Sequence, residues 1–205
     1  CKKALQEAFE LKPDKNTPLI ATISRLADQK GFDLIVASLE EMLSYGTQYA
    51  VLGTGERKYH DIFTELAKKF PNTFGIKIAY DNKLAHLIEA GADMFLMPSK
   101  YEPCGLNQLY SLKYGTVPIV RGVGGLEDTI VDYTKERDKG TGFKFYAYSA
   151  SEMLDAVKRA LNIYKNKDAW RTLVSRCMNE DFSWQKSADE YLALYKKAIK
   201  KHESR

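Results

Sequence analysis

Apolar positions along this chain switch repeatedly between two periods. Pro18-Leu19-Ile20-Ala21-Thr22-Ile23 is a short continuous apolar run and predicts a buried strand. Phe32, Ile35, Val36, Leu39, Met42 and Leu43 then recur at helical spacing, with Gly46 as a stop. Tyr49-Ala50-Val51-Leu52 predicts a second strand, ended by Gly53-Thr54-Gly55. Tyr59, Ile62, Phe63, Leu66, Ala67 and Phe70 form a helical stripe closed by Pro71. A third strand is expected from Phe74 to Ala79 and a short helix from Leu84 to Ala90, ended by Gly91. The run Asp93 to Pro98 predicts a fourth strand, followed by an amphipathic helix that stops at Gly115. Thr116 to Val120 and Gly142 to Tyr146 complete the strand-like set.

Strands alternating with helices predict an α/β fold: a Rossmann-like, doubly wound parallel sheet covered on both faces. From about Ala150 onward the pattern is all helical. Ser149, with Glu152 three residues on, has the form of a capping box ahead of a stripe at Met153, Val157, Ala160, Leu161 and Tyr164. A final helix after Ser183 gathers Trp184, Ala188, Tyr191, Leu192, Tyr195 and Ile199 on one apolar face. That face needs a surface to dock on, in this domain or in another. The expected division is a Rossmann-like α/β domain over 1–182 and a terminal helix over 183–205.

Composition narrows the class. The 205 residues are 44% hydrophobic and 28% charged, an ordinary globular balance that excludes disorder and collagen-like chains. The net charge of +4 comes from 31 basic and 27 acidic residues dispersed along the chain, too mild for a nucleic-acid surface but compatible with a local phosphate pocket. No apolar run approaches the roughly 18 residues of a membrane span, so no membrane partner is expected. Cys1, Cys104 and Cys177 are odd in number and far apart, which favours a reducing, cytoplasmic setting. The chain opens on Cys1 inside a helical pattern and reads as a piece of a longer protein.

Candidate chemistry falls in the turns after the strands. Arg25 and Lys30 flank the turn after the first strand, with Gly31 at the next helix start. Two cations beside helix N–H groups suit a diphosphate, and equally suit a solvated helix surface. Gly53 and Gly55 make a tight turn where a backbone can approach a ligand, but lack dinucleotide-fingerprint spacing and follow the wrong strand for hydride transfer. Tyr80 ends the third strand, where it either stacks on a flat base or belongs to the core.

Ser99-Lys100-Tyr101-Glu102-Pro103-Cys104-Gly105-Leu106-Asn107-Gln108 is the most informative stretch: strand end, carboxylate, glycine, helix start. Cys104 has no histidine nearby in sequence to activate it; His86 alone of the three histidines falls near a site. Gly122, Gly124 and Gly125 form a flexible turn before Glu127 and Asp128. No spacing of His, Cys or acids suits a metal, and no cofactor is expected.

In this order, the residues resemble a known family: the C-terminal, nucleotide-sugar-binding domain of bacterial glycogen synthases and plant starch synthases, retaining glucosyltransferases of the GT-B fold. The matching segments are Ser24-Arg25-Leu26 with Gln29-Lys30-Gly31, Leu52 to Glu56, Gly91-Ala92-Asp93, Pro98 to Gln108, Tyr114 to Pro118, and Gly124-Gly125-Leu126 with Asp128-Thr129. The resemblance implies that Arg25 and Lys30 grip the diphosphate, Tyr80 stacks on adenine and Glu102 sits at the transferred glucose. It further implies backbone contacts from Cys104, Gly105, Leu106 and Asn107, and an approach of the Gly124-Gly125 turn to the phosphates.

The implied reaction moves glucose from ADP-glucose to the non-reducing end of an α-1,4-glucan. The implied partners are ADP-glucose or ADP, the glucan, and the family's own N-terminal domain, toward which the last helix would cross. Departures are Val123 before the glycine pair, Lys100 and Tyr101 for the commoner Arg and Phe, and Tyr110 where related GT-B families carry a second Glu. Alternatives are a GT-B transferase using UDP-glucose or another nucleotide sugar, and a non-catalytic nucleotide- or glucan-binding module.

Overall fold

A computed structural model describes residues 1–203, so the last two positions of the 183–205 segment lie outside the described residues. Six strands form one sheet: β1 (Leu19–Ile23), β2 (Gln48–Leu52), β3 (Phe74–Lys77), β4 (Met94–Met97), β5 (Val117–Arg121) and β6 (Phe143–Phe145). Every pairing is parallel, in the order β3-β2-β1-β4-β5-β6. The helices are α1 (Lys2–Ala8), α2 (Phe32–Ser44), α3 (Arg57–Lys69), α4 (Asn82–Gly91), α5 (Asn107–Tyr114), α6 (Gly125–Thr129), α7 (Ala150–Lys165), α8 (Lys167–Asn179) and α9 (Trp184–Glu203). This is the doubly wound, Rossmann-like sheet that the alternating pattern predicts, with a helical C-terminal end.

Strand residues alternate between two apolar layers, as the two-residue period of a strand requires. Ile20, Tyr49, Val51, Met94 and Leu96 join Phe32, Ile35 and Phe63 in one core. Leu19, Ala21, Ala50, Leu52 and Phe95 join Leu5 and Ile88 in the other. Burial on both faces explains why these strands read as continuous apolar runs rather than as alternating ones. Helix α2 packs beside α3 and α7, and α4 beside α1 and α5, with α8 against α5 and α7.

Some expectations shift. The third strand ends at Lys77 rather than Ala79, because its only neighbour β2 pairs no further than Leu52↔Lys77; Ile78 emerges 41% exposed. On α3 only Tyr59 and Phe63 are buried, and Ile62 faces out, since that helix covers an outermost strand. Tyr80 is 95% exposed, which removes it from the core. Ser149 Oγ does cap α7, accepting from Glu152 N at 3.3 Å. The apolar stripe of α9 packs on nothing described here: Trp184, Tyr191, Leu192, Tyr195 and Ile199 are all exposed.

Strand order reverses at β1, whose two neighbours are β2 and β4. The loops leaving the carboxyl ends of β1 and β4 therefore part from each other there, and the crevice between them is where open α/β sheets hold ligands.

Candidate functional site

Three loops build the site, and they hold one another. After β1, Asp28–Lys30 forms a single 3-10 turn ending at Gly31, whose φ is 78°. A β-carbon at Gly31 would collide with the Pro98 carbonyl oxygen, so only glycine lets this turn press against the end of β4. The loop after β4 is tied back by Lys100 N–H donating to Gln29 O at 2.8 Å. After β5, Gly124 (φ 51°) and Gly125 lie directly on the Glu102–Cys104 backbone, with Gly125 N–H donating to Glu102 O at 3.1 Å. Arg121, at the end of β5, donates through Nη1 to Lys100 O at 2.9 Å.

This framework fixes the charged pair at the centre. Lys30 Nζ lies 2.6 Å from Glu102 Oε2, and Ser99 Oγ donates to the same oxygen at 3.2 Å. The Glu102 side chain is 7% exposed and that of Lys30 24%. They line a small cavity of about 120 Å3 with Ser99, Gly105, Leu106 and Asn107. Helix α5 begins there with no side-chain cap, so its first-turn N–H groups have no side-chain acceptor. Asn107 instead sends its Nδ2 to Ile23 O at 2.8 Å, stitching α5 to the end of β1. Buried Gln108 fastens the turn, donating to Cys104 O at 2.9 Å and Gly105 O at 3.0 Å.

Beside this cavity lies a larger cleft of about 760 Å3, sharing Ile23, Ser24 and Asn107 with it. Arg25, Gly53, Gly55 and Tyr80 all line this cleft. Arg25 is exposed, its Nη2 3.4 Å from Gln29 Oε1. Gly53 and Gly55 press on Ser24 and Leu26, so the close approach they permit is first of all between two turns of this chain. Gly55 N–H already donates to His60 Nε2 at 3.0 Å.

Two groups of expected residues thus come together: Arg25, Tyr80, Gly53 and Gly55 in the cleft, and Lys30, Glu102, Gly105, Leu106 and Asn107 in the cavity. Cys104, Gly124 and Gly125 line neither. Cys104 is exposed, and the glycine pair supports the Glu102 loop from behind. Among the described residues, no three His, Cys, Asp or Glu side chains gather as a metal site.

The structural roles of several residues escape a sequence reading because their partners are distant. Gln29, Gln108 and Arg121 are loop fasteners; the first two stand in the matching segments, but nothing in the sequence marks what any of the three fastens. His86, Glu89 and Tyr110 line the cleft. His86 Nδ1 is 3.1 Å from Tyr114 OH. Glu89 is 4% exposed; Ser111 Oγ donates to its Oε2 at 2.8 Å, while Oε1 is buried with no hydrogen-bond partner among the described residues. Burial pushes the Glu89 carboxyl up to about 8, against the opposing pull of the Ser111 hydrogen bond. The only sequence signal for Glu89 was its place on the helix between two site loops.

The chain is similar to known proteins over most of its length. Residues 4–172 match the family described as glycosyl transferases group 1. A glycogen synthase of Koribacter versatilis is 52% identical over 186 residues, 91% of this chain and 38% of that protein. One from Thermosipho melanesiensis is 46% identical over 201 residues, 98% of this chain and 42% of its own length. Among solved structures, the catalytic domain of starch synthase IV from Arabidopsis thaliana, bound to ADP and acarbose, superposes with a TM-score of 0.87. It is 33% identical, and the match covers 97% of this chain and 42% of that one. The chain therefore spans well under half the length of these relatives.

Proposed function

This chain belongs to the glycosyl transferases group 1 family, and from that premise we propose that it is the nucleotide-sugar-binding part of a glycogen or starch synthase. The observation that carries the reading is the adjacency of two hollows: one lined by Arg25 and the exposed Tyr80, the other by the Lys30–Glu102 pair. A nucleoside diphosphate sugar has matching parts in matching order. Its base stacks on Tyr80, its diphosphate lies between Arg25 and Lys30, and its glucose reaches Glu102 and the backbone from Cys104 to Asn107. The Gly53-Thr54-Gly55 turn flanks the diphosphate, and the Gly124-Gly125 turn holds the Glu102 loop under it.

The donor is ADP-glucose and the acceptor the non-reducing end of an α-1,4-glucan. The anomeric carbon exchanges its bond to a phosphate oxygen for a bond to an acceptor hydroxyl, with retention. Negative charge grows on the departing diphosphate, so fixed cations stabilise the transition state more than the bound substrate. Arg25 and Lys30 supply that charge from this chain's own residues. Lys30 starts paired with Glu102, so an arriving phosphate shares the ammonium and leaves Glu102 freer to act at the sugar. The relatives' additional length supplies the facing domain with most of the acceptor site, and the apolar face of α9 is the segment that reaches toward it. Bound to ADP and acarbose, the starch synthase IV structure supports both ligand classes.

The test is glucosyl transfer by the full-length enzyme, with ADP-glucose compared against UDP-glucose on a glucan primer. Arg25→Ala and Lys30→Ala are each expected to lower turnover at least about tenfold, the rate equivalent of one charge-assisted hydrogen bond. Near-normal turnover in both variants would overturn the diphosphate assignment. The chain by itself is expected to bind ADP without elongating glucan.

A further inference from the structure

Glu89 is used by none of this chemistry, yet it lines the same cleft as Arg25 and Tyr80. Leaving a buried carboxyl oxygen without a partner is costly, and native structures seldom do so without a reason. Oε2 is already engaged by Ser111, so the unpaired atom is Oε1. The cleft's other acid, Asp81, is committed to capping α4 through Leu84 N–H at 2.9 Å.

We propose that Glu89 is a specificity-determining residue of the cleft, its Oε1, covered in this structure, turning outward to meet a ribose hydroxyl of the bound nucleoside diphosphate. The proposal rests on the nucleotide reading given above. Elimination by chemistry singles out the ribose. The diphosphate already has two cations, Arg25 and Lys30. The base presents its flat face to Tyr80. The ribose joins the two and carries hydroxyls that both donate and accept, so they satisfy Oε1 in either protonation state. Tyr110, on α5, also lines this cleft and brings no carboxylate of its own. Burial favours the protonated acid near neutral pH, which lets Glu89 donate to the sugar without repelling the phosphates.

The experiment is calorimetric titration of ADP, 2′-deoxy-ADP and 3′-deoxy-ADP into this chain and into Glu89→Met and Glu89→Gln, with thermal unfolding as the check on folding. The unaltered chain is expected to bind at least one deoxy analogue about tenfold more weakly than ADP, the loss of one buried hydrogen bond. Glu89→Met should bring that ratio to within about twofold of unity, and Glu89→Gln, isosteric with the protonated acid, should restore part of it. An unchanged ribose preference in Glu89→Met, or equal weakening of ADP and its deoxy analogues, overturns the proposal. So does a change confined to ADP against inosine diphosphate, which would move Glu89 to the base edge. Failure of the unaltered chain to bind ADP overturns the nucleotide reading and this one together; loss of the ribose effect alone overturns only this one.

Discussion

The two ends of the sheet treat buried polar groups in opposite ways. At the amino edge every buried side-chain polar atom among the described residues is matched. Asp93, entering β4, accepts from Lys2 Nζ at 2.6 Å and from Leu19 N–H at 2.8 Å. Lys2 also reaches Thr17 O at 2.6 Å, and Gln6 and Gln48 are hydrogen-bonded to each other at 2.7 Å. At the carboxyl edge and the cleft below it, matching is incomplete. The two buried side-chain atoms recorded without partners among the described residues, Glu89 Oε1 and Gln108 Oε1, both lie on this side, where α5 is also uncapped and Tyr80 stands in solvent. A chain that saturates one edge this thoroughly has the means to saturate the other. The difference marks where a ligand completes the structure.

The sharpest test of that contrast is pH. Glu89 has a folded pKa raised from 4.5 to about 8 by burial, so the folded state holds this proton more tightly than the unfolded chain does. Its stabilising share is complete below about 4.5 and is lost as pH rises to about 8, at up to about 1.4 kcal/mol per pH unit. Denaturant unfolding at several pH values should therefore show Glu89→Gln gaining on the unaltered chain across that window. Parallel pH curves would place Glu89 with the saturated groups instead.

Second in size is Lys2→Met at the matched edge. It strands Asp93, whose carboxyl burial already holds above the usual range despite the Lys2 ammonium. A loss of about 3 kcal/mol in unfolding free energy is expected, with ADP affinity unchanged. A variant that lost ADP binding at full stability would break the division between the edges. The smallest expected effect is Tyr80→Ala, which should weaken ADP by about tenfold, the lower part of the range for base–aromatic stacking. Its unfolding midpoint should stay put, because a residue 95% exposed contributes little to packing.

The sheet was legible because local patterns carry it. Runs such as Leu19–Ile23 and stripes such as Phe32, Ile35 and Leu39 encode burial on their own, and all are buried as expected, save for Ile23 at its strand's partly exposed end. The site was legible in part, since residues that follow strand ends converge whenever the sheet is parallel. Arg25, Gly53 and Tyr80 share a cleft for that reason. What could not be read depends on partners far apart in sequence. Glu102 meets Lys30 across 72 residues, and Arg121 meets Lys100 across 21. The Gly124-Gly125 pair has the composition of a phosphate turn, but its place against Glu102 and Cys104 is set by three loops meeting, which no single window contains. The face of α9 was visible as amphipathic, and its lack of a partner within residues 1–203 was not.

The mutual grip of those loops has a consequence for recombination. Gly31 against Pro98, Gln29 against Lys100 and Gly125 against Glu102 are contacts between backbones, so each loop is shaped to the path of the others rather than to a side chain that could be swapped. A chimera with a homologous domain inherits a working set when its crossovers lie outside residues 29–125. A crossover placed between Gly31 and Pro98, or between Glu102 and Gly124, joins loops with different histories, and the mismatch then falls on main-chain atoms that no second-site substitution can trim.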